Sequence, residues 1–136
     1  MASNIPWKEA LRIVVLAGGD SAEREVSLES GACVTNALRQ RGHRVLQIDP
    51  ALLALHEIPH STDVIYPMLH GTGGEDGTLQ RDLDRLGIPW LGSSAEASAL
   101  TFDKVVTREI LAKAGLPIAP GFGLNPDATR EAIHTA

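Results

Sequence analysis

Apolar positions recur along this chain with two different periods, and the change from one to the other marks out its elements. A short β-branched run, "RIVVLAGG" over residues 12–19, ends in two glycines and predicts a buried strand entering a tight turn. After "DSAERE", Val26, Cys33, Val34, Ala37 and Leu38 fall at helical spacing and predict one apolar helix face, with Gly42 as its stop. "HRVLQID" (residues 43–49) predicts a second strand and "DVIYPML" (residues 63–69) a third. Pro67 has no N–H to give to a ladder, which puts it near a sheet edge or a strand end. The stretch between them, residues 50–61, mixes prolines, histidines and apolar residues and reads as loop or short helix.

Further on, Leu79, Leu83 and Leu86 follow i, i+4, i+7, and Gly87 ends that helix. "IPWLG" (residues 88–92) predicts a fourth short strand, and "SSAE" (residues 93–96) has the form of a capping box opening another helix. Phe102, Val106 and Ile110 mark a further amphipathic helix, closed by Gly115 with Pro117 beyond it. Strands alternating with helices predict an α/β fold of three layers, a mainly parallel sheet flanked by helices. Residues 118–124, "IAPGFGL", suit a new strand, and "NPDATREAIHTA" opens like a helix with Asn125 as N-cap and Pro126 in the first turn. A helix so short is marginal without a partner to cover its apolar side, so a second unit is expected to begin here and to be cut short.

Composition narrows the function without choosing it. At 136 residues, 43% hydrophobic and 21% charged, the chain resembles an ordinary globular domain with a core. A net charge of −5 argues against nucleic acid or an anionic membrane as the main partner. Cys33 is the single cysteine, no apolar run reaches the length of a membrane span, and the first residues lack the layout of a secretion signal. A cytoplasmic protein is expected.

In a parallel sheet, ligands bind beyond the carboxyl ends of the strands. Two glycine-rich loops leave such ends, "GGDSAEREVS" after the first strand and "HGTGGEDG" after the third. With those strands side by side, Glu23, His70 and Glu75 would converge on one small site. Neither loop carries the lysine of a Walker A loop or the G-x-G-x-x-G dinucleotide fingerprint. A metal site of His70, Glu75 and Asp76 has no helical H-x-x-x-H or cysteine pair behind it, and no metal ligand is assigned. Each residue also has a plainer role open to it. His70 suits a backbone partner at a strand end, Glu75 and Asp76 suit free amides at the next helix's N-terminus, and Lys104 suits the surface.

The segments "GGDSAEREVSLESG" (residues 18–31), "HGTGGEDGTLQ" (70–80) and "ASALTFDK" (97–104) resemble, in order and spacing, those of D-alanine–D-alanine ligases. "AGLPIAP" (114–120) is similar to that family's passage into its central domain, and the resemblance spans nearly everything from Arg12 to Pro120. It implies a Rossmann-like N-terminal substrate domain over residues 1–116 and the start of a central ATP-grasp domain over 117–136. It further implies a ligase that uses ATP and Mg2+ to join two D-alanines for peptidoglycan through an acyl phosphate. Carried over by position, Glu23 would face the first D-alanine's ammonium and Val26 its methyl group. His70 would lie near its carboxylate, Glu75 would support the loop beside the substrate, and Lys104 would reach the ATP phosphates. The nucleotide loop and the magnesium carboxylates come from later domains in the family, so this chain alone is expected to be inactive. A homodimer formed through this domain is a further implication.

Three positions depart from the family's usual pattern. Arg81 follows Gln80 where a small residue is usual, "PWLGS" stands for "PYTGS", and Arg108 takes the place of a frequent lysine. They leave open a related ligase with D-lactate or D-serine as acceptor. A non-catalytic α/β module that binds an amino acid or docks on a partner is the other alternative.

Overall fold

A computed structural model describes residues 10–121 and 123. Three strands, β1 (Arg12–Leu16), β2 (Arg44–Ile48) and β3 (Val64–Pro67), form a sheet in the order β2-β1-β3, parallel throughout. Helix α1 (Arg24–Gln40) links β1 to β2, and a single 3-10 turn (Leu55–Glu57) lies between β2 and β3. Helices α2 (Thr78–Leu86), α3 (Ala95–Phe102) and α4 (Lys104–Lys113) follow. The alternation of side chains along β1 sorts the layers. Val14 and Leu16 join Ile48, Ile58, Ile65, Leu79 and Leu83 in a core beneath α2. Ile13, Val15 and the following Ala17 are buried on the opposite face, where α1 packs. The chain thus has the expected α/β fold with helices on both sides of a parallel sheet. Among the described residues no helix is long and apolar enough to cross a membrane.

The first helix packs through a different face from the one its apolar residues suggest. Val26 is 53% exposed and Cys33 is exposed, whereas Ser27, Gly31 and Thr35 are buried. These three follow i, i+4, i+8, a stripe of small and hydroxyl side chains. A Cβ on Gly31 would overlap that of Ala17, so the helix lies too close to the strand for a larger side chain. Thr35 donates its hydroxyl to the Gln47 side-chain oxygen at 3.2 Å. Close backbone approach decides this interface, and the count of apolar residues does not reveal it.

The expected fourth strand is reduced to one parallel bridge between Ile65 and Trp90. Ile65 N–H donates to the Pro89 carbonyl at 2.8 Å and Leu91 N–H to the Ile65 carbonyl at 3.0 Å. The next ladder bonds on either side would need N–H groups from Pro67 and Pro89, which have none. Two prolines therefore stop the ladder at its first rung.

Two helix boundaries also differ from expectation. The cap of α3 is Ser94, whose hydroxyl accepts the Ala97 N–H at 3.3 Å, one residue later than the S-x-x-E pattern suggests. Phe102 closes α3 and does not begin the next helix. Asp103 interrupts the helix there and caps α4 by accepting from Val105 and Val106 at 2.9 and 3.1 Å. The Leu79–Leu83–Leu86 helix stands as expected, ending at Gly87 with φ 67°. Two compact units result, one running through Ala99 and the other from Leu100. Residues 118–121 form no strand, and the helix expected from Asn125 onward lies outside the described residues.

Candidate functional site

Because β1 and β3 are neighbours, the loops that leave their carboxyl ends lie side by side. Two serines join them. Ser27, fully buried in α1, accepts the Gly18 N–H at 2.8 Å and donates to the Met68 carbonyl at 2.7 Å. Ser21 accepts the Glu23 N–H at 3.1 Å and donates to the His70 carbonyl at 2.7 Å. The loop after β2 closes one side, where Asp49 accepts the Gly19 and Ala51 N–H groups at 2.9 and 3.0 Å. A cleft of about 170 Å³ opens among these loops, lined by Gly19, Ser21, Pro50, Leu69, His70 and Gly73 among others.

Glu23, His70 and Glu75 lie on or beside these adjoining loops, and of the three only His70 lines the cleft. Glu23 lies at the start of α1, where its side chain makes no capping bond, and its carboxylate sits against Gly71. A Cβ on Gly71 would come within 2.9 Å of Glu23 Oε1, and the left-handed backbone there, φ 71°, favours glycine as well. His70 places Nδ1 3.7 Å from Glu75 Oε1 and Nε2 3.4 Å from Ser30 Oγ. Glu75 also accepts the Gly71 N–H at 2.9 Å, so it braces its own loop while facing the imidazole. Val26 lies three residues beyond Glu23 on α1 with half its surface open. Lys104 belongs to the second unit, where its ammonium donates to the Phe102 carbonyl at 3.2 Å and sits 5.4 Å from that ring's centre.

The glycines do not form a phosphate cradle. Such a cradle presents free backbone N–H groups. Here Gly18 donates to Ser27, Gly19 to Asp49, Gly71 to Glu75, Gly73 to Asp76, and Gly74 to the Gly71 carbonyl. With those amides engaged internally, the loops offer a ligand carboxylate and imidazole side chains. The Glu23 carboxylate, unlike that residue's backbone, has no hydrogen-bond or ion-pair partner among the described residues. A small cation such as an ammonium group suits this arrangement better than a phosphate. No three His, Cys, Asp or Glu side chains among the described residues are grouped to hold a metal ion.

Asp76 takes the plainer of its two roles. Its carboxylate accepts the Gly73 N–H at 2.8 Å and the Thr78 N–H at 2.9 Å, tying the loop to the first turn of α2. These backbone bonds, the Gly73 amide foremost, hold its pKa below the ordinary carboxylate value. A carboxyl with a lowered folded pKa stabilises fully above its unfolded value, and that contribution fades as pH falls through the folded value. Asp76→Asn, whose amide nitrogen cannot accept from Gly73, should therefore cost about 1 kcal/mol near neutral pH. Thermal melts of both proteins between pH 7 and about pH 2 should show the gap closing in acid. A gap that stays constant on acidification would contradict this role.

The residues that hold the loops together, Ser21, Arg24, Ser27 and Asp49, did not stand out in the sequence. A serine in the middle of a small-residue helix stripe is a weak signal for Ser27. Asp49 gave none, since it lies thirty residues from the glycine whose amide it binds. None of the departures from the family pattern lines the cleft. Arg81 is exposed on α2, and Trp90 donates its indole N–H to Asp84 at 2.9 Å.

The same regions carry the similarity to known proteins. A family profile described as "D-ala D-ala ligase N-terminus" matches residues 50–93. The D-alanine–D-alanine ligase of Alkalilimnicola ehrlichii is 45% identical over 122 residues, covering 90% of this chain and 39% of the relative. The crystal structure of a D-alanine–D-alanine ligase from Aeromonas hydrophila superimposes with a TM-score of 0.74 at 29% identity, over 93% of this chain and 54% of that one. The Bacillus anthracis ligase complexed with ATP gives 0.69 at 31% identity, over 86% and 43%. This chain spans less than two fifths of the length of the curated relatives it matches.

Proposed function

Because the chain belongs to the D-alanine–D-alanine ligase family, matching that family's N-terminal region, we propose that it binds the first D-alanine of an ATP-dependent ligase. The complete protein would join two D-alanines in the cytoplasm as a step of peptidoglycan synthesis. Glu23 pairs with the ammonium of the first D-alanine, and Val26 meets its methyl group. His70, held between Glu75 and Ser30, faces the carboxylate. Fixing a small zwitterion at both charged ends orients its carboxylate for activation, and that loss of freedom lowers the barrier before any bond changes. ATP supplies the phosphoryl group that activates the carboxylate. Lys104, exposed and with no carboxylate partner among the described residues, suits a contact to the ATP phosphates. No magnesium ligand is assigned to this chain.

One observation carries this reading. Among the described residues the Glu23 carboxylate has no partner, and it lies beside a loop whose Gly71, Gly73 and Gly74 amides are engaged internally, an arrangement that selects a cation. The test is the full-length protein with ATP and each alanine enantiomer, followed by release of ADP and by mass spectrometry. D-alanine should yield the dipeptide and L-alanine should not. A protein that forms no dipeptide from D-alanine, or that uses both enantiomers alike, contradicts the assignment.

A further inference from the structure

The turn that delivers Glu23 is held by a pair of charged residues to which the ligase reading gives no part. Arg24 is the first residue of α1, immediately after Glu23, and Asp49 ends the loop side of β2. Their side chains form an ion pair, and both also grip Gly19. Arg24 Nη1 donates to the Gly19 carbonyl at 2.7 Å, while Asp49 accepts the Gly19 N–H at 2.9 Å. A glycine with φ 79° would otherwise turn freely, yet here both of its backbone polar groups are fixed by one salt bridge. Gly18 before it has φ 108°, and a Cβ there would overlap the Asp49 carboxylate, so the carboxylate also fills the space beneath the turn.

We propose that Arg24 and Asp49 are a positioning pair, setting the Gly18–Gly19 turn and through it the Glu23 carboxylate for the substrate's ammonium. This deepens the ligase reading and rests on it. Neither residue needs to touch substrate. The pair joins the loops after β1 and β2, whose Gly18, Gly19, Pro50 and Ala51 line the cleft, while Ser21 and Ser27 fix the other side of the same turn to the loop after β3. Burial alone would raise the Asp49 pKa, but the Arg24 contact and the two backbone amides outweigh it and hold the carboxyl below its ordinary value. The pair is therefore charged wherever the enzyme would work.

Asp49→Asn separates the pair from the rest of the turn. An asparagine is the same size, and its oxygen can still accept from Gly19 and Ala51, which both bond Oδ1 in the native chain. Its amide nitrogen would then face the Arg24 guanidinium, donor against donor. In the full-length protein this change should raise the KM for the first D-alanine by about tenfold, since a displaced binding group acts on substrate orientation. The KM for ATP should stay within about twofold and the melting temperature should move little. Arg24→Lys keeps the charge but loses the two-point grip, and should raise the same KM to a smaller extent.

Glu23→Gln, measured beside them, separates the possible failures. A Glu23→Gln enzyme with an unchanged D-alanine KM would overturn the ligase reading of the site and the positioning pair with it. If Glu23→Gln raises that KM but Asp49→Asn leaves it unchanged, the positioning pair alone is overturned. A loss of turnover that tracks loss of folded protein, with both KM values intact, would also overturn it, because it would mark a merely structural role.

Discussion

Replacing Glu23 by Gln in the full-length protein should raise the KM for the first D-alanine by about ten- to a hundredfold and leave the KM for ATP nearly unchanged. The size follows from the bond removed, since a hydrogen bond to a charged group is worth about 1.5–3 kcal/mol and each 1.4 kcal/mol is tenfold in affinity. Glutamine keeps the length and polarity of the side chain, so Gly71, whose lack of a side chain leaves room for the native carboxylate, has the same neighbour. Glu23 makes no capping bond to α1, and the fold should not notice the change. Steady-state kinetics with each substrate varied in turn read the effect. Equal losses toward D-alanine and ATP would place Glu23 outside the amino-acid site.

Ser27→Ala has the largest expected effect on stability. The hydroxyl is fully buried and serves two backbone groups, the Gly18 N–H and the Met68 carbonyl, on different strands' loops. Removing it leaves both without partners, at about 1–3 kcal/mol each. A loss of about 2–6 kcal/mol is a large share of the 5–15 kcal/mol typical of a domain. Urea unfolding should show the midpoint falling accordingly. Hydrogen exchange should show the amides of Gly18 and of the loop after β3 losing protection first. A loss of unfolding free energy below about 0.5 kcal/mol would mean that other contacts join the loops.

The elements most legible in the sequence were those whose signal is local. The strand over residues 12–16 and the Leu79–Leu83–Leu86 helix follow from periodicity and a terminating glycine, and both stand where expected. The first helix misled, because its buried stripe, Ser27–Gly31–Thr35, is selected by close approach and hydrogen bonding. The fourth strand misled for a related reason. "IPWLG" has strand-like composition, but whether a ladder extends depends on which backbone groups face each other. Only the register reveals that Pro67 and Pro89 fall at both of the next rungs.

The candidate site divides in the same way. Glu23, His70 and Glu75 were visible because ionisable groups in glycine-rich loops are uncommon, and strand order brings them together. Asp49 was invisible, because its partner Gly19 is distant in sequence and an aspartate at a strand end has many ordinary uses. The internal engagement of the glycine amides was equally hidden. Glycine content suggested close backbone approach to a ligand, whereas the hydrogen bonds give the glycines a different role. They let the loops fold back on their own side chains and leave Glu23 outward.

On the proposed function the site selects its substrate by a positive charge. Trapping the activated carboxylate with hydroxylamine in the full-length protein with ATP, comparing D-alanine with propionate, which differs by lacking the amino group, decides it. A site built around an ammonium leaves Glu23 unpaired when that group is missing, and discrimination of at least about a hundredfold is expected. D-alanine should give hydroxamate at that advantage, and the advantage should shrink in Glu23→Gln. Propionate activated as readily as D-alanine would contradict the account, because the carboxylate at the head of α1 would then have no ligand to recognise.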